Sequence, residues 1–143
     1  AGSRRRREGT HAPTTASGGM DNRTAAVRVP AGPNAARRFE HRVSGADANP
    51  YLVIAAVLAA ALKGIEAEAT PPVAFTGSSY DQELPRLPAS WEEALVRFEH
   101  SDFIEQTFGA AFRRAVVAAK RQEIGTFAEK VTPFELQSYR DEV

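Results

Sequence analysis

The sequence contains no cysteine. Disulfides, thiolate metal sites and a cysteine nucleophile are therefore excluded, and the absence suits a cytoplasmic protein. Long apolar runs are also missing. The longest, Tyr51–Leu62, falls short of the roughly 20 residues that span a bilayer. No charged-then-apolar signal pattern opens the chain. Methionine occurs once, at Met20 and not at position 1, so the chain is expected to be a piece of a longer protein. Histidines stand at 11, 41 and 100 without metal-motif spacing, and His41 reads as a packed or hydrogen-bonded ring. No internal repeat is visible. Net charge is absent too, since 18 basic side chains balance 18 acidic ones.

That neutrality hides an asymmetry. Residues 1–42 carry nine arginines and three acids, and residues 43–143 carry nine basic and fifteen acidic groups. A basic front suits anionic ligands. The 143 residues suffice for one domain with a core.

Residues 1–21 are rich in Arg, Gly, Thr, Ser and Ala without apolar periodicity, and read as loop. Arg4 to Arg7 form a basic run, which is either a solvated arm or the source of an arginine that reaches an anion. A nucleic-acid arm finds little support, because no aromatic for base stacking precedes Phe39. Asn22–Pro30 alternates as a short strand, and Gly32-Pro33-Asn34 is a turn. Arg37–Val43 is the second strand, with Phe39, His41 and Val43 on one face and Arg38, Glu40 and Arg42 on the other. That Arg-Glu-Arg face is either a surface ion-pair ladder or a ligand site. Guanidinium forks bind phosphate and carboxylate bidentately, and a carboxylate among them suits a cation that also touches phosphate.

Asn49 caps a helix with Pro50 at its first position. From Tyr51 to Leu62 every residue is apolar, which predicts a helix over 49–69 covered on most sides. Gly64 loosens its end and Thr70-Pro71-Pro72 stops it. Four prolines make 70–89 an extended connector. Helices follow over 90–143, with start signals at Ser90/Glu93, Asp102/Glu105 and Thr132/Glu135. They are expected at Trp91 to about Glu99, at Phe103 to about Lys130 with breaks at Gly109 or Gly125, and in a short segment ending near Tyr139. The expected fold class is α+β, with two antiparallel strands followed by a helical region.

Three ordered blocks carry a family resemblance: NRTAAVRVP at 22–30, RFEHR at 38–42 and ADANPYL at 46–52. They resemble the C-terminal part of the glutamine synthetase catalytic domain, whose pattern runs N-R-S/T-A-x-x-R-x-P, R-x-E-x-R, A-A/D-A-N-P-Y-L. Gly18 stands where relatives commonly carry Trp. The tail, LPASWEEALVRFEHSDFIEQTFG and VTPFELQSYRDEV, is most similar to the γ-glutamylpolyamine synthetase branch. The resemblance implies one catalytic-domain segment over 1–143 and an ATP-dependent ligase. Such an enzyme makes a γ-glutamyl amide from glutamate and ammonia, or from an amine such as putrescine, through a γ-glutamyl phosphate.

The resemblance also implies site roles. Arg23, Arg28 and Arg38 would contact ATP phosphates, with Arg23 at the transferring group. Arg42 would bind glutamate or its acyl phosphate, and Arg5 the glutamate carboxylate. Glu40 would be one ligand of Mg²⁺ or Mn²⁺. The expected assembly is a homo-oligomeric ring with shared active sites, cytoplasmic, without nucleic-acid or membrane partners. The remaining metal ligands and the ATP loop would lie before residue 1, so the chain alone is expected to be inactive. The alternative from another class is a non-catalytic helical interaction module with a basic arm.

Overall fold

A computed structural model describes residues 9–140. The chain divides into two compact units at Ser90 and Trp91.

The first unit holds a three-stranded sheet, β1 (Gly18–Met20), β2 (Val27–Val29) and β3 (Glu40–His41), in the order β1-β2-β3. β1 runs parallel to β2, and β2 antiparallel to β3. Two antiparallel strands were expected; β1 is the addition, and it lies inside the segment read as loop. Parallel strands normally need a long crossover. Here the strands are three residues long, a return path of about 10 Å, which the six residues 21–26 can cover. Asp21 turns the chain with φ 46°.

Both predicted strands are shorter than the sequence suggests. Residues 22–26 are held in a turn built on the Asn22 side chain, described below. In the β3 register, Arg28 faces Glu40 and Val27 faces His41. The same register would set Arg38 opposite Pro30, which has no N–H to give, so the ladder stops. Asn34–Ala36 instead form a 3₁₀ turn. At the other end the Arg42 N–H still bonds the Ala26 carbonyl at 2.9 Å.

The core of this unit is small and made of small residues: Pro13, Ala25, Ala26 and Ser79 are buried. The connector straps back over the leader. Thr15 bridges Arg86, the Ala16 N–H bonds the Pro85 carbonyl and the Leu87 N–H bonds the Thr14 carbonyl.

Helix α1 spans Pro50–Glu66. The Asn49 Oδ1 accepts from the N–H groups of Tyr51 and Leu52 at 3.0 and 3.2 Å, as the N-cap assignment requires. The helix ends before the prolines. Ala69 N–H bonds the Gly64 carbonyl and Glu68 N–H the Ile65 carbonyl, while Glu68 sits at φ 47°. This is a Schellman ending with a glutamate in the left-handed position. The expected burial of α1 is corrected. No α1 residue is buried, and Tyr51 is 81% and Ile65 74% exposed. The apolar surface is real, but no described element packs across it.

The second unit contains α2 (Trp91–Glu99), α3 (Asp102–Phe108), α4 (Ala110–Ala128) and α5 (Pro133–Tyr139). α2 and α3 pack on α4, burying Leu95 and Val117. The Trp91 and Phe127 rings meet edge to face at 5.7 Å. The expected long helix is broken at Gly109, whose φ 84° and ψ 155° only glycine adopts readily, while Gly125 continues α4. Ser101, one residue earlier than expected, caps α3 by accepting from the Ile104 N–H at 3.3 Å. The Thr132/Glu135 capping box has both of its bonds, at 3.2 and 2.7 Å. Among the described residues no helix is long and apolar enough to cross a membrane.

Candidate active site

The site begins with a turn. Asn22 Oδ1 accepts from the Thr24 N–H at 2.9 Å and from the Thr24 hydroxyl at 2.8 Å. Asparagine favours such turns because its carbonyl imitates a backbone acceptor. The turn lies hard against β1. A Cβ at Gly19 would come within 3.0 Å of the Asn22 Cβ, so the strand needs glycine there for close approach. Behind the turn, the buried Ser17 hydroxyl accepts from the Ala26 N–H at 3.1 Å and donates to the Thr15 carbonyl at 3.3 Å. The leader is thus part of the scaffold.

Arg23 projects from the middle of this turn. Its side chain is exposed and makes no hydrogen bond or ion pair among the described residues. It lines an open groove of about 480 Å³ together with Met20, Asp21, Thr24, Phe75 and Thr76. Its charge also helps to lower the Asp21 pKa, and a guanidinium without a hydrogen-bond partner among the described residues is available to an anion at this groove.

Arg28 is differently placed. Its Nη1 donates to Glu40 Oε2 at 3.2 Å across the ladder, and its Nη2 donates to Asp21. Its buried Nε has no hydrogen-bond partner among the described residues. The hydrogen bond from Arg28, and then its charge, hold the Asp21 carboxyl below the usual carboxylate range. Asp21 in turn raises the Arg28 guanidinium further above its ordinary value. Sequence reading had given Asp21 no role. Its visible signal was position alone, next to the Asn-Arg-Thr turn.

Arg42 shares the Glu40 face by alternation, and its Nη1 reaches the His11 carbonyl at 3.3 Å. Arg38 stands outside β3, with a long contact of 3.5 Å to the Ala36 carbonyl. Arg5 lies outside the described residues. His41 shares a hydrogen bond with the Ser44 hydroxyl at 3.3 Å, and burial lowers its pKa. The structure therefore joins Arg28 to Glu40 directly. It leaves Arg23, Arg38 and Arg42 without contact to that pair.

Among the described residues no three acidic or histidine side chains cluster to hold a metal. Glu40 Oε2 is taken by Arg28, which leaves Oε1 to offer. Mg²⁺ typically takes one or two carboxylates with phosphate oxygens and waters, so a lone carboxylate fits as this chain's share of such a site.

With this geometry in view, comparison with known proteins is decisive. Residues 2–139 match the family model described as "Glutamine synthetase, catalytic domain". The chain belongs to the glutamine synthetase catalytic-domain family. It is 37% identical to the Gamma-glutamylputrescine synthetase PuuA of Escherichia coli strain K12, over 94% of this chain and 28% of that protein. It is 38% identical to Type-1 glutamine synthetase 2 of Dictyostelium discoideum, over 92% of this chain and 26% of that one. Among solved structures, a GmaS/ADP complex superposes with a TM-score of 0.76 at 34% identity, over 92% of this chain and 30% of that one. The chain thus spans under a third of the length of these relatives. Arg23 and Arg28 lie in the block at 22–30, and Arg38, Glu40 and Arg42 in the block at 38–42.

Proposed function

We propose that this chain works as the C-terminal segment of a longer glutamine-synthetase-type catalytic domain. The complete enzyme forms a γ-glutamyl amide from glutamate and ammonia or a small amine, at the expense of ATP. The observation that carries this reading is the β2–β3 register, which sets Arg28 against Glu40, one from each of two blocks that resemble the family pattern. The match over residues 2–139 supports the same chemistry.

The reaction has two steps. The glutamate γ-carboxylate attacks the terminal phosphoryl group of ATP, giving γ-glutamyl phosphate and ADP. The amine nitrogen then attacks the acyl carbon, loses a proton and expels phosphate. Positioning and charge stabilisation dominate phosphoryl transfer, which is work for arginines. Arg23, free at its groove, contacts the transferring group. Arg28 and Arg38 serve the other phosphates, and Arg28 also holds Glu40 in place. Arg42 holds glutamate or its acyl phosphate, and Arg5 the substrate carboxylate. Glu40 supplies one oxygen to a divalent ion, Mg²⁺ or Mn²⁺, which would neutralise phosphate charge. The working form is a cytoplasmic homo-oligomeric ring with sites shared between subunits.

The acceptor is ammonia or an amine, and similarity to a γ-glutamylputrescine synthetase favours testing putrescine beside ammonium. Glutamate-dependent ADP release by the full-length enzyme decides this. Stimulation by ammonium alone makes it a glutamine synthetase, and preference for putrescine makes it a γ-glutamylpolyamine ligase. No release with either overturns the reading.

A further inference from the structure

We infer that Ser79 is a positioning residue for Arg23, acting through the turn that carries it. The inference rests on the proposed role of Arg23 and deepens it. Ser79 lies 55 positions after Thr24 and is fully buried. Its N–H donates to the Thr24 Oγ1 at 2.8 Å, and its hydroxyl donates to the Thr24 carbonyl at 2.7 Å. The Thr24 hydroxyl donates a hydrogen bond to Asn22 Oδ1 at 2.8 Å. The other end of that amide, Asn22 Nδ2, donates to the Gly77 carbonyl at 2.7 Å. The bonds close a ring from Gly77 through Ser79, Thr24 and Asn22 back to Gly77. Both neighbours of Arg23 are inside the ring, and Arg23 is the residue it leaves free.

The segment that does this is itself fixed. Ser78 Oγ caps the 3₁₀ turn Ser79–Asp81 by accepting from the Tyr80 N–H at 3.2 Å. The Tyr80 hydroxyl donates to the Ala12 carbonyl at 2.9 Å. Gly77 takes φ 87°, which turns the connector into the ring. A mobile arginine on a mobile turn loses much of its value to phosphoryl transfer, because small misplacements cost large factors in rate. Clamping the backbone on both sides restricts the Cα of Arg23 while its guanidinium stays available to the groove.

The test is a double-mutant cycle in the full-length ligase: Ser79→Ala, Arg23→Ala and both together, read as kcat and as KM for ATP. Ser79→Ala is expected to lower kcat/KM for ATP on the order of tenfold, the usual range for residues that orient a site from behind. In the Arg23→Ala background the same change is expected to cost nothing further in kcat/KM, although it still lowers the melting temperature. A purely structural serine would lower activity by the same factor in both backgrounds, and that result overturns the inference. So does Ser79→Ala with unchanged kinetics. If Arg23→Ala alone keeps full activity, the role of Arg23 fails first and the inference with it. If Ser79→Ala does not assemble, Asn22→Ala, which opens the same ring by removing the bond to Gly77 and both bonds from Thr24, takes its place in the cycle with the same two outcomes.

Discussion

Arg28 stands opposite Glu40 in the β2–β3 ladder, and its Nη1 lies 3.2 Å from Glu40 Oε2. Asp21 takes the other end of the same guanidinium. One arginine thus orients two carboxylates, and it bonds only one oxygen of Glu40.

Glu40→Gln keeps the shape of the side chain and removes its charge. In the full-length enzyme it is expected to lower kcat by on the order of 100-fold or more, the scale on which a metal-facing group matters. Assembly should be spared, because glutamine keeps a side-chain oxygen to accept from Arg28 and a half-exposed ion pair contributes little to stability. Steady-state rates and size-exclusion profiles check both halves. Full activity in the variant would remove Glu40 from the metal site.

The isolated 143-residue chain is expected to turn over no substrate. Its described residues offer no three-ligand metal cluster, and it spans under a third of its relatives. Product formation from glutamate, ATP and ammonium or putrescine, followed by mass spectrometry, would contradict this.

Glu68 holds a left-handed position that glycine adopts without cost, and it places a negative charge at a helix C-terminus. Glu68→Gly should raise stability by about 0.5–1 kcal/mol. Thermal or urea melts of the full-length protein measure it, and a lower midpoint would mean that the Schellman ending does not form.

Gly109 should tolerate no side chain. Nothing lies within 4 Å of a Cβ built there, so the cost is backbone strain alone, about 1–3 kcal/mol for Gly109→Ala. An unchanged melt would indicate that α3 and α4 can run on as one helix.

His41 has its pKa lowered by burial, so folding favours the neutral ring. The unfolded chain then binds more protons as pH falls below about 6.5. The stability His41 contributes is fully present above that value and is lost as pH falls through its folded pKa. The melting-temperature gap between the parent and His41→Asn should therefore narrow between about pH 7.5 and about pH 5.5. A gap that widens on acidification would show the opposite shift.

Local chemistry was legible without coordinates where a few adjacent residues decide the outcome. Asn49-Pro50 and Thr132-Pro133-Phe134-Glu135 start helices where their caps place them, because a cap is a contact over three residues. Trp91–Glu99 follows from its periodicity in the same way. The Arg28–Glu40 pairing was half legible. Alternation gave the face, but the register came from the ladder, which stops where Pro30 has no N–H to offer. β1 was not legible, since Gly18–Met20 has no strand propensity of its own and exists by bonding to β2.

The sequence by itself determined the family blocks, the arginines and glutamate they carry, and the helix starts, all of which depend on neighbours in the chain. Only the tertiary structure decided that Asp21 shares Arg28 with Glu40, that α1 finds no cover among the described elements, and that Ser79 clamps Thr24. Each of these depends on groups far apart in sequence or on the presence of a packing partner. A hydrogen bond between positions 24 and 79 leaves no trace in local pattern, because its geometry is set by how the connector folds back over the leader.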